Sequence, residues 1–416
     1  MTGAHSESSA VETNGSTRIS RAPSSLYWLA LGTFAIGTEG FMLAAILPRI
    51  ATGISATVAQ AGSLVSIFSL AYAVSSPVLT ALTGTIDRRR LLLAAMAIFA
   101  VANLVAATTR SFASLAAARV LLAAAAGLYT PNANALAGAL VPPERRGRAI
   151  AIVNGGLTVA IALGVPLGAI VGNRFGWQTT FVGVALLAAI AFAGLAVGLP
   201  ARIGASVTTA TLTDRLRVVR QPRVGTTLFV TTVWATGTYS VYTFVALLLT
   251  SATPLRGHQI GYALFLWGTS AAVGLFLGGS ATDRLGNRLV VKVSLAALAI
   301  ALASLSAIAC WVPRAGALAP VLFAMVLWGL SAWAFYPAQQ ARLIELAGVR
   351  LAPIVLSLNA SFMYLGFSLG AAFGGFTLVH ATVSSLGWVG AACELLALGL
   401  FSVLAAHVES SSRSTD

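Results

Sequence analysis

Residues 276–295 read FLGGSATDRLGNRLVVKVSL, which places a short charged turn between two apolar runs. The apolar run before the turn covers 259–281, and the run after it covers 289–312. Each run is long enough to cross a bilayer as a helix, which takes about 20 residues. Because the turn is only a few residues long, the two helices must be antiparallel neighbours. This pair of membrane helices is the unit from which the whole fold is predicted.

Working outward, twelve apolar runs of this kind follow one another along the chain. A polar stretch at 200–223, with five arginines and Asp214, separates the first six runs from the last six. The predicted spans are 27–48, 60–83, 91–109, 112–141, 149–172, 177–199, 224–250, 259–281, 289–312, 317–341, 352–378 and 383–406. The predicted domains are a disordered cytoplasmic tail at 1–26, an N-terminal six-helix bundle at 27–199, a cytoplasmic linker at 200–223, a C-terminal six-helix bundle at 224–406 and a cytoplasmic tail at 407–416.

The composition also indicates a membrane protein. Of the 416 residues, 58% are hydrophobic and 9% are charged, and the mean hydropathy is +0.89. A soluble domain carries about 25% charged residues, so this chain has too few charges to cover a water-facing surface. A disordered chain is excluded by the same numbers. We therefore predict an all-α integral membrane protein with twelve transmembrane helices in two pseudo-symmetric six-helix bundles.

The net charge of +14 would suggest nucleic-acid binding in a soluble protein. With the N-terminus inside the cell, however, 19 of the 25 basic residues fall in inner segments, five fall in outer segments, and Arg119 lies inside a helix. This asymmetry is the positive-inside signal of a membrane protein. It predicts a multi-pass protein of the inner (cytoplasmic) membrane with both termini in the cytoplasm and no nucleic-acid partner.

The two halves of the chain resemble each other. Asp87 and Asp283 both follow the second span of their half. The fifth span of each half carries glycines spaced by four, which lie on one helix face and allow close helix packing. These glycines are Gly164, Gly168 and Gly172 in the first half and Gly366, Gly370 and Gly374 in the second. Duplicated units of this kind recur in secondary transporters, whose substrate site lies between the halves.

The turn GSATDRLGNR at 279–288 matches the GxxxDRxGxR loop of the major facilitator superfamily, and the chain resembles that family over nearly its whole length. The copy in the first half, GTIDRRR at 84–90, is degraded. The resemblance implies that both turns act as gates that lock one conformation; for the first copy, a plain topology anchor is an equal alternative. The gate residues are Asp87, Arg88, Gly279, Asp283, Arg284, Gly286 and Arg288.

The fifth span contains Gly164, Pro166 and Gly168, which are similar to the GxPxG signature of the drug–proton antiporters of this family. We expect a proline bend on a glycine face that packs against the other half; the alternative is simple close packing. Stretches at 37–51, 328–342 and 357–375 resemble the branch that contains arabinose efflux permeases and chloramphenicol-resistance exporters.

Three charged residues lie deep within predicted spans, where charge is costly and usually functional: Glu39, Arg119 and Glu394. Glu39 lies about 14 Å and Arg119 about 10 Å from the outer end of their helices, at 1.5 Å per residue. We expect Glu39 to carry a proton and Arg119 to modulate its charge by proximity. The alternatives are a static ion pair, or a contact between Glu39 and a cationic substrate. Glu394 is the second candidate for coupling; its alternative is a pairing with a neighbouring polar group.

The substrate cavity is expected between spans 1, 2, 4, 5, 7, 8, 10 and 11, as the resemblance implies. Aromatic rings that carry one polar atom suit amphiphilic ligands, although many such residues serve only for packing or interface anchoring. The cavity candidates are Tyr129, Asn132, Trp234, Tyr239, Tyr242, Trp333, Tyr336 and Gln339, with Tyr72, Asn134 and Tyr364 as further members.

These features favour a secondary active transporter that exports a small hydrophobic or amphiphilic compound, such as a drug, in exchange for protons. The alternatives are a sugar or nucleoside efflux permease, or a uniporter or importer of the same fold. An enzyme is not expected, because the chain has no arrangement of nucleophile and base or of metal ligands. The expected partners are the substrate, protons and the bilayer, without cofactor or metal, and a monomer is usual in the resembling family.

Overall fold

The computed structural model describes residues 24–199 and 211–413, so most of the predicted N-terminal tail, part of the linker and the last three residues lie outside the described residues. Within the described ranges the chain forms helices and no β-strands. The helices are α1 (Ser24–Gly53), α2 (Val58–Leu82), α3 (Arg88–Thr108), α4 (Phe112–Ala139), α5 (Arg146–Phe175), α6 (Trp177–Gly198), a linker helix (Leu212–Val219), α7a (Pro222–Tyr242), α7b (Val245–Ala252), α8 (Gln259–Leu285), α9 (Asn287–Trp311), α10 (Leu318–Ala347), α11 (Ala352–His380) and α12 (Leu386–Arg413).

The helices confirm the predicted membrane spans. Among the described residues, eleven helices are long and apolar enough to cross a bilayer. The twelfth span is α7, in which α7a and α7b are bent by 49° at the break between Tyr242 and Val245. In the predicted tail at 407–416, the helix α12 continues to Arg413, and the candidate membrane span ends before it, at Val403. This segment is polar but has no proline or glycine to end the helix, so the backbone hydrogen bonds continue past the apolar run.

The helix α5 contains a π-helical segment, Ala160–Gly164, just before Pro166, and the predicted proline bend stays a prediction. The Val165 N–H bonds to the Ala160 carbonyl, five residues back, which widens the helix by one residue. The expected partner of the glycine face is wrong, however. Gly164 and Gly168 face α1 of the same half, and a Cβ added at Gly168 would lie 3.1 Å from the Cβ of Met42.

The linker contains a short helix that docks on the second half. Thr211 caps the first turn of this helix, and its backbone N–H and hydroxyl both donate to Asp214. These hydrogen bonds hold the pKa of the Asp214 carboxyl below its usual range. Arg215 reaches α11, where its guanidinium donates to the Ser357 hydroxyl at 2.8 Å, and Val218 packs into a small apolar cluster with residues of α7a, α10 and α11. The linker is therefore structured where the chain enters the second half.

The two six-helix halves meet along two helix pairs, α2 with α11 and α5 with α8. We call the end of the molecule that holds the linker helix the linker end, and the end that holds the turn between α1 and α2 the far end. At the far end, the hydroxyls of Ser66 and Ser368 each donate to the other residue's carbonyl at 3.0 Å. Nearer the middle, the rings of Tyr72 and Tyr364 stack at 3.7 Å. These contacts hold the far end closed.

Candidate functional site

Glu39 and Arg119 form an ion pair between α1 and α4, and both side chains are 0% exposed. The guanidinium of Arg119 also lies over the ring of Phe68, 4.1 Å from its centre, and its Nε donates to the Leu64 carbonyl at 3.3 Å. One carboxylate oxygen of Glu39 and one terminal nitrogen of Arg119 have no hydrogen-bond partner. A buried pair that is only partly satisfied is sensitive to any change in the charge of either member.

Glu39 is surrounded by small residues of α1 that let neighbouring helices come close. A Cβ added at Gly37 would lie 2.7 Å from Leu157 of α5, so α5 covers this part of α1 tightly. On the side of α2, Phe68 lies 3.8 Å from the position of a Cβ at Gly40. These close approaches exclude water from the pair, which strengthens its electrostatic interaction.

An aromatic cluster joins the two halves next to this pair. Phe41, two residues after Glu39, lies 6.0 Å from Tyr242 and 6.1 Å from Tyr239 and from Trp333, measured between ring centres. The hydroxyl of Tyr242 donates to the Phe41 carbonyl at 3.1 Å. The aromatic cluster, as named here, comprises Phe41, Trp234, Tyr239, Tyr242, Trp267, Trp333 and Phe367, which line one small cavity together with Thr238 and Ala332.

This cavity is nearly closed and has room for about one water molecule. Rings connect it to the ion pair: Phe68, which carries Arg119 on its face, lies 6.5 Å from Tyr364, and Tyr364 lies 5.3 Å from Phe367. The ion pair and the cavity therefore share one packed aromatic network that crosses from one half to the other.

The structure brings together Trp234, Tyr239, Tyr242 and Trp333 of the predicted cavity residues, and Tyr336 packs beside them, 6.1 Å from Trp333. Three other candidates are placed elsewhere. Tyr129 donates to the Leu29 carbonyl at 3.0 Å inside the first half, Asn132 accepts from Arg88, and Gln339 donates to the Thr227 carbonyl at 2.8 Å. Their polar atoms hold helices together, and none of the three lines this cavity, so their role in a substrate site stays a prediction.

The sequence did not predict Phe41, Phe367, Trp267 and Thr238 as cavity residues. The criterion was an aromatic ring with a polar atom, and the two phenylalanines have no polar atom. A signal for Thr238 was present: Gly37-Thr38 of α1 recurs as Gly237-Thr238 at the same place in α7. The repeat marks corresponding positions of the two halves, and it would have pointed to α7 as the counterpart of the helix that carries Glu39.

The first gate turn is well anchored despite its degraded sequence. Asp87 accepts from the Arg90 backbone N–H at 3.0 Å and so caps α3. The buried Arg88 donates to Asn132 of α4, and Arg89 donates to the Ala196 carbonyl of α6 at 2.6 Å. This turn therefore ties α3 to α4 and α6.

The second gate turn matches the family motif fully but is more open. Asp283 and Arg284 are exposed, and a Cβ added at Gly279 would meet nothing within 4 Å. Gly286 has a φ of 81°, which ends α8 in a conformation that glycine adopts readily. The turn is linked to α10 through Asn287, whose side chain donates to Glu345 at 2.8 Å, and Glu345 also lies near Arg288.

Glu394 lies on α12 and is 0% exposed. The Thr238 hydroxyl donates to its Oε1 at 3.4 Å, and its Oε2 has no partner. Gly237 makes this approach possible, because a Cβ there would lie 2.5 Å from the Glu394 carboxylate. Glu394 is therefore buried against α7a at the edge of the aromatic cluster.

Comparisons with known proteins agree with this architecture. The sequence signature of the Major Facilitator Superfamily matches residues 29–254. The MFS-type transporter YbcL of Bacillus subtilis (strain 168) is 31% identical over 373 residues, which cover 90% of this chain and 93% of YbcL. A chloramphenicol resistance protein of Streptomyces lividans is 36% identical over 266 residues, which cover 63% of this chain and 67% of that protein.

Among solved structures, a bacterial homologue of the human lysosomal transporter Spinster, inward-facing and unoccupied, has a TM-score of 0.71 at 18% identity and covers 94% of this chain and 96% of its own. That likeness concerns the fold, whereas the sequence match covers most of the first half and the first helix of the second. With two six-helix halves and a buried ion pair inside the first of them, this multi-pass membrane protein belongs to the Major Facilitator Superfamily of transporters.

Proposed function

We propose that this transporter exports small amphiphilic compounds from a bacterial cell in exchange for protons. The proposal rests above all on the buried pair of Glu39 and Arg119 beside the aromatic cluster that joins the halves. An acid buried in a membrane transporter is a candidate proton carrier, and the aromatic cavity fits a ligand with a large apolar surface. The similarity to a chloramphenicol resistance protein supports export of a drug-like substrate.

The coupling step is a change of charge at Glu39. When a proton binds Glu39, the attraction to Arg119 is lost and the guanidinium is held only by Phe68 and the Leu64 carbonyl. Phe41 moves with Glu39 because both lie on α1, so the contacts of Phe41 with Tyr239 and Tyr242 change with the protonation state. Protonation at one face of the membrane and substrate release are thereby connected through one helix.

We propose that the protein works as a monomer with both termini in the cytoplasm. The excess of basic residues at the linker end supports a cytoplasmic location of both termini, in the inner membrane. The far end, closed by Ser66 and Ser368, then faces the outside. The two six-helix bundles move against each other along α2–α11 and α5–α8, and a monomer contains the complete site.

The test is pH-gradient-driven accumulation of labelled chloramphenicol by inverted vesicles or proteoliposomes. For a one-to-one exchange, the wild type accumulates substrate up to about tenfold for each unit of pH gradient. Glu39→Gln is expected to abolish accumulation but to retain substrate exchange without a gradient, because glutamine keeps the shape and can still accept from Arg119. Glu144→Gln, at an exposed acid in the turn before α5, is the matched control. Accumulation by Glu39→Gln that still follows the pH gradient would refute the proton role.

A further inference from the structure

A groove on the outer surface of the second half runs between α7a and α12. It is lined by Thr226 and Phe229 of α7a and by side chains between Leu395 and Val403 of α12. Its volume is about 430 Å³, which is within the range of pockets that bind small molecules. The groove shares no lining residue with the cavity of the aromatic cluster, so it is a separate feature of the molecule.

Small residues open the groove between larger apolar ones. A Cβ added at Gly399 would meet nothing within 4 Å. Across the groove, the short side chain of Thr226 donates its hydroxyl to the Pro222 carbonyl of its own helix at 2.6 Å, so this polar atom is already satisfied. Phe229 and Leu396 flank the opening and are 51% and 55% exposed. The groove therefore presents an apolar surface to its surroundings.

The groove lies in the part of the membrane nearest the linker end. Its α7a side begins there at Pro222, and the candidate span of α12 ends there at Val403. The distance from Val403 to Leu395 along α12 is about 12 Å, at 1.5 Å per residue. Half of the hydrocarbon core is about 15 Å thick, so the groove stays within one leaflet. A hydrocarbon chain is the occupant that this environment and this apolar surface favour.

Arginines lie where the groove reaches the membrane surface. Arg223 precedes Thr226 by three residues, which places it on the same side of α7a and one turn closer to the linker end. Arg220 lies in the turn just before α7a, and both arginines are exposed. Asp214, an acid of the same segment, already accepts two hydrogen bonds from Thr211. Basic residues next to a membrane helix attract anionic lipid head groups, so the charge at this mouth favours an anion.

We propose that the groove between α7a and α12 binds one anionic phospholipid, with an acyl chain in the groove and the phosphate at Arg220 and Arg223. A phospholipid carries an apolar chain next to a negative group, which matches the two ends of the site. The bound lipid fills the space beside α7a, the helix that carries Trp234 and Tyr239 of the aromatic cluster. This site goes beyond the proposed export function and does not depend on which compound is transported.

The test uses the purified full-length transporter in detergent. Native mass spectrometry counts the lipids that stay bound, and it gives dissociation constants for phosphatidylglycerol, which is anionic, and for phosphatidylcholine with the same acyl chains. The wild type is expected to bind one phosphatidylglycerol about 30-fold more tightly than phosphatidylcholine, the effect of about 2 kcal/mol from two arginines. Equal affinity for the two lipids, or no retained lipid, overturns the proposal.

The groove itself is tested by filling it. Gly399→Leu places a side chain in the open space and is expected to weaken the binding of phosphatidylglycerol about tenfold. Gly183→Leu is the matched control, because Gly183 is an exposed glycine of α6 where an added Cβ also meets nothing within 4 Å. The control should bind phosphatidylglycerol as the wild type does.

The head-group contact is tested by removing its charge. Arg220→Gln with Arg223→Gln should bring the affinity for phosphatidylglycerol down to that for phosphatidylcholine, which should itself be unchanged. Arg146→Gln with Arg148→Gln removes the same charge from two exposed residues at the start of α5 and should keep the preference of the wild type.

If Gly399→Leu does not fold, Leu396→Trp enlarges a lining side chain that is already exposed, and it should weaken binding in the same way. An unchanged affinity for phosphatidylglycerol in the folded groove-filling variant, or in the variant without Arg220 and Arg223, overturns the proposal. Displacement of the bound lipid by chloramphenicol would show that the groove takes a transported compound, and it would also overturn the proposal. The export test at Glu39 is a separate measurement, so either proposal can fail while the other holds.

Discussion

At the scale of single residues, the buried ion pair between Glu39 and Arg119 matters for stability, because both charges are removed from water. Arg119 makes three kinds of contact at once, with the Glu39 carboxylate, the Leu64 carbonyl and the Phe68 ring. A lysine has no planar group that could make all three. Loss of the pair leaves a buried group without its partner, which costs far more than the pair itself contributes.

We therefore expect Arg119→Leu to lower the free energy of unfolding by about 3–5 kcal/mol, because Glu39 remains buried without a cation. The double variant with Glu39→Gln should recover a large part of this loss, since no isolated charge remains. Thermal unfolding in detergent, followed by tryptophan fluorescence, measures both. A double variant that is less stable than Arg119→Leu would show that the two residues do not act as a pair.

At the scale of helices, the glycine stripes set how closely each half packs. In α5 the stripe faces α1, and in α11 it faces α7a, so the two stripes have corresponding partners in the two halves. A Cβ added at Gly370 would lie 2.5 Å from the Thr236 carbonyl oxygen and 2.9 Å from the Ser240 nitrogen. Both are backbone atoms and cannot rotate away, so α7a and α11 would have to separate.

Gly370→Ala is accordingly expected to destabilise the protein by about 1–3 kcal/mol through overpacking. Gly155→Ala in α5 is the matched control, because a Cβ there meets nothing within 4 Å. It should be neutral or raise stability by up to about 1 kcal/mol, through the higher helix propensity of alanine. The melting temperatures of Gly370→Ala and Gly155→Ala, measured in the same detergent, test this prediction. Equal melting temperatures would argue against close packing at Gly370.

At the scale of the whole molecule, the proposed export cycle requires that the far end opens. Ser66 and Ser368 hold that end through two reciprocal hydrogen bonds of 3.0 Å between the halves. The bend between α7a and α7b lies at the same end, where Phe244 packs against Gly62 of α2. The closed far end is therefore built from a few contacts that can separate as a unit.

A disulfide across this end should stop transport. We expect Ser66→Cys with Ser368→Cys, in a background of Cys310→Ser and Cys393→Ser, to form the cross-link under mild oxidation and to lose transport. Reduction should restore transport, and each single-cysteine variant should remain active after oxidation. Transport at the wild-type rate by fully cross-linked protein would show that the far end stays closed during the cycle.

The sequence by itself determined the class of fold and the spans, which the helices confirm to within a few residues in most cases. Hydrophobic length and the placement of arginines are local properties, and a lipid environment allows few ways to satisfy the backbone, so pattern and structure correspond closely. The glycine stripes were visible for the same reason, since spacing by four fixes a helix face. The helix against which each stripe packs could not be predicted in this way. The prediction that the stripe of α5 faces the other half was wrong, because it faces α1.

Only the tertiary structure decided which polar groups meet. Tyr129 and Gln339 have the same chemistry as residues that line the cavity, but their polar atoms bond to backbone carbonyls of neighbouring helices. Phe41 has no polar atom and nevertheless lies at the centre of the aromatic cluster. Whether a side chain lines a cavity or joins two helices depends on partners that are a hundred residues or more away in the chain. The packing of helices against one another fixes those partners.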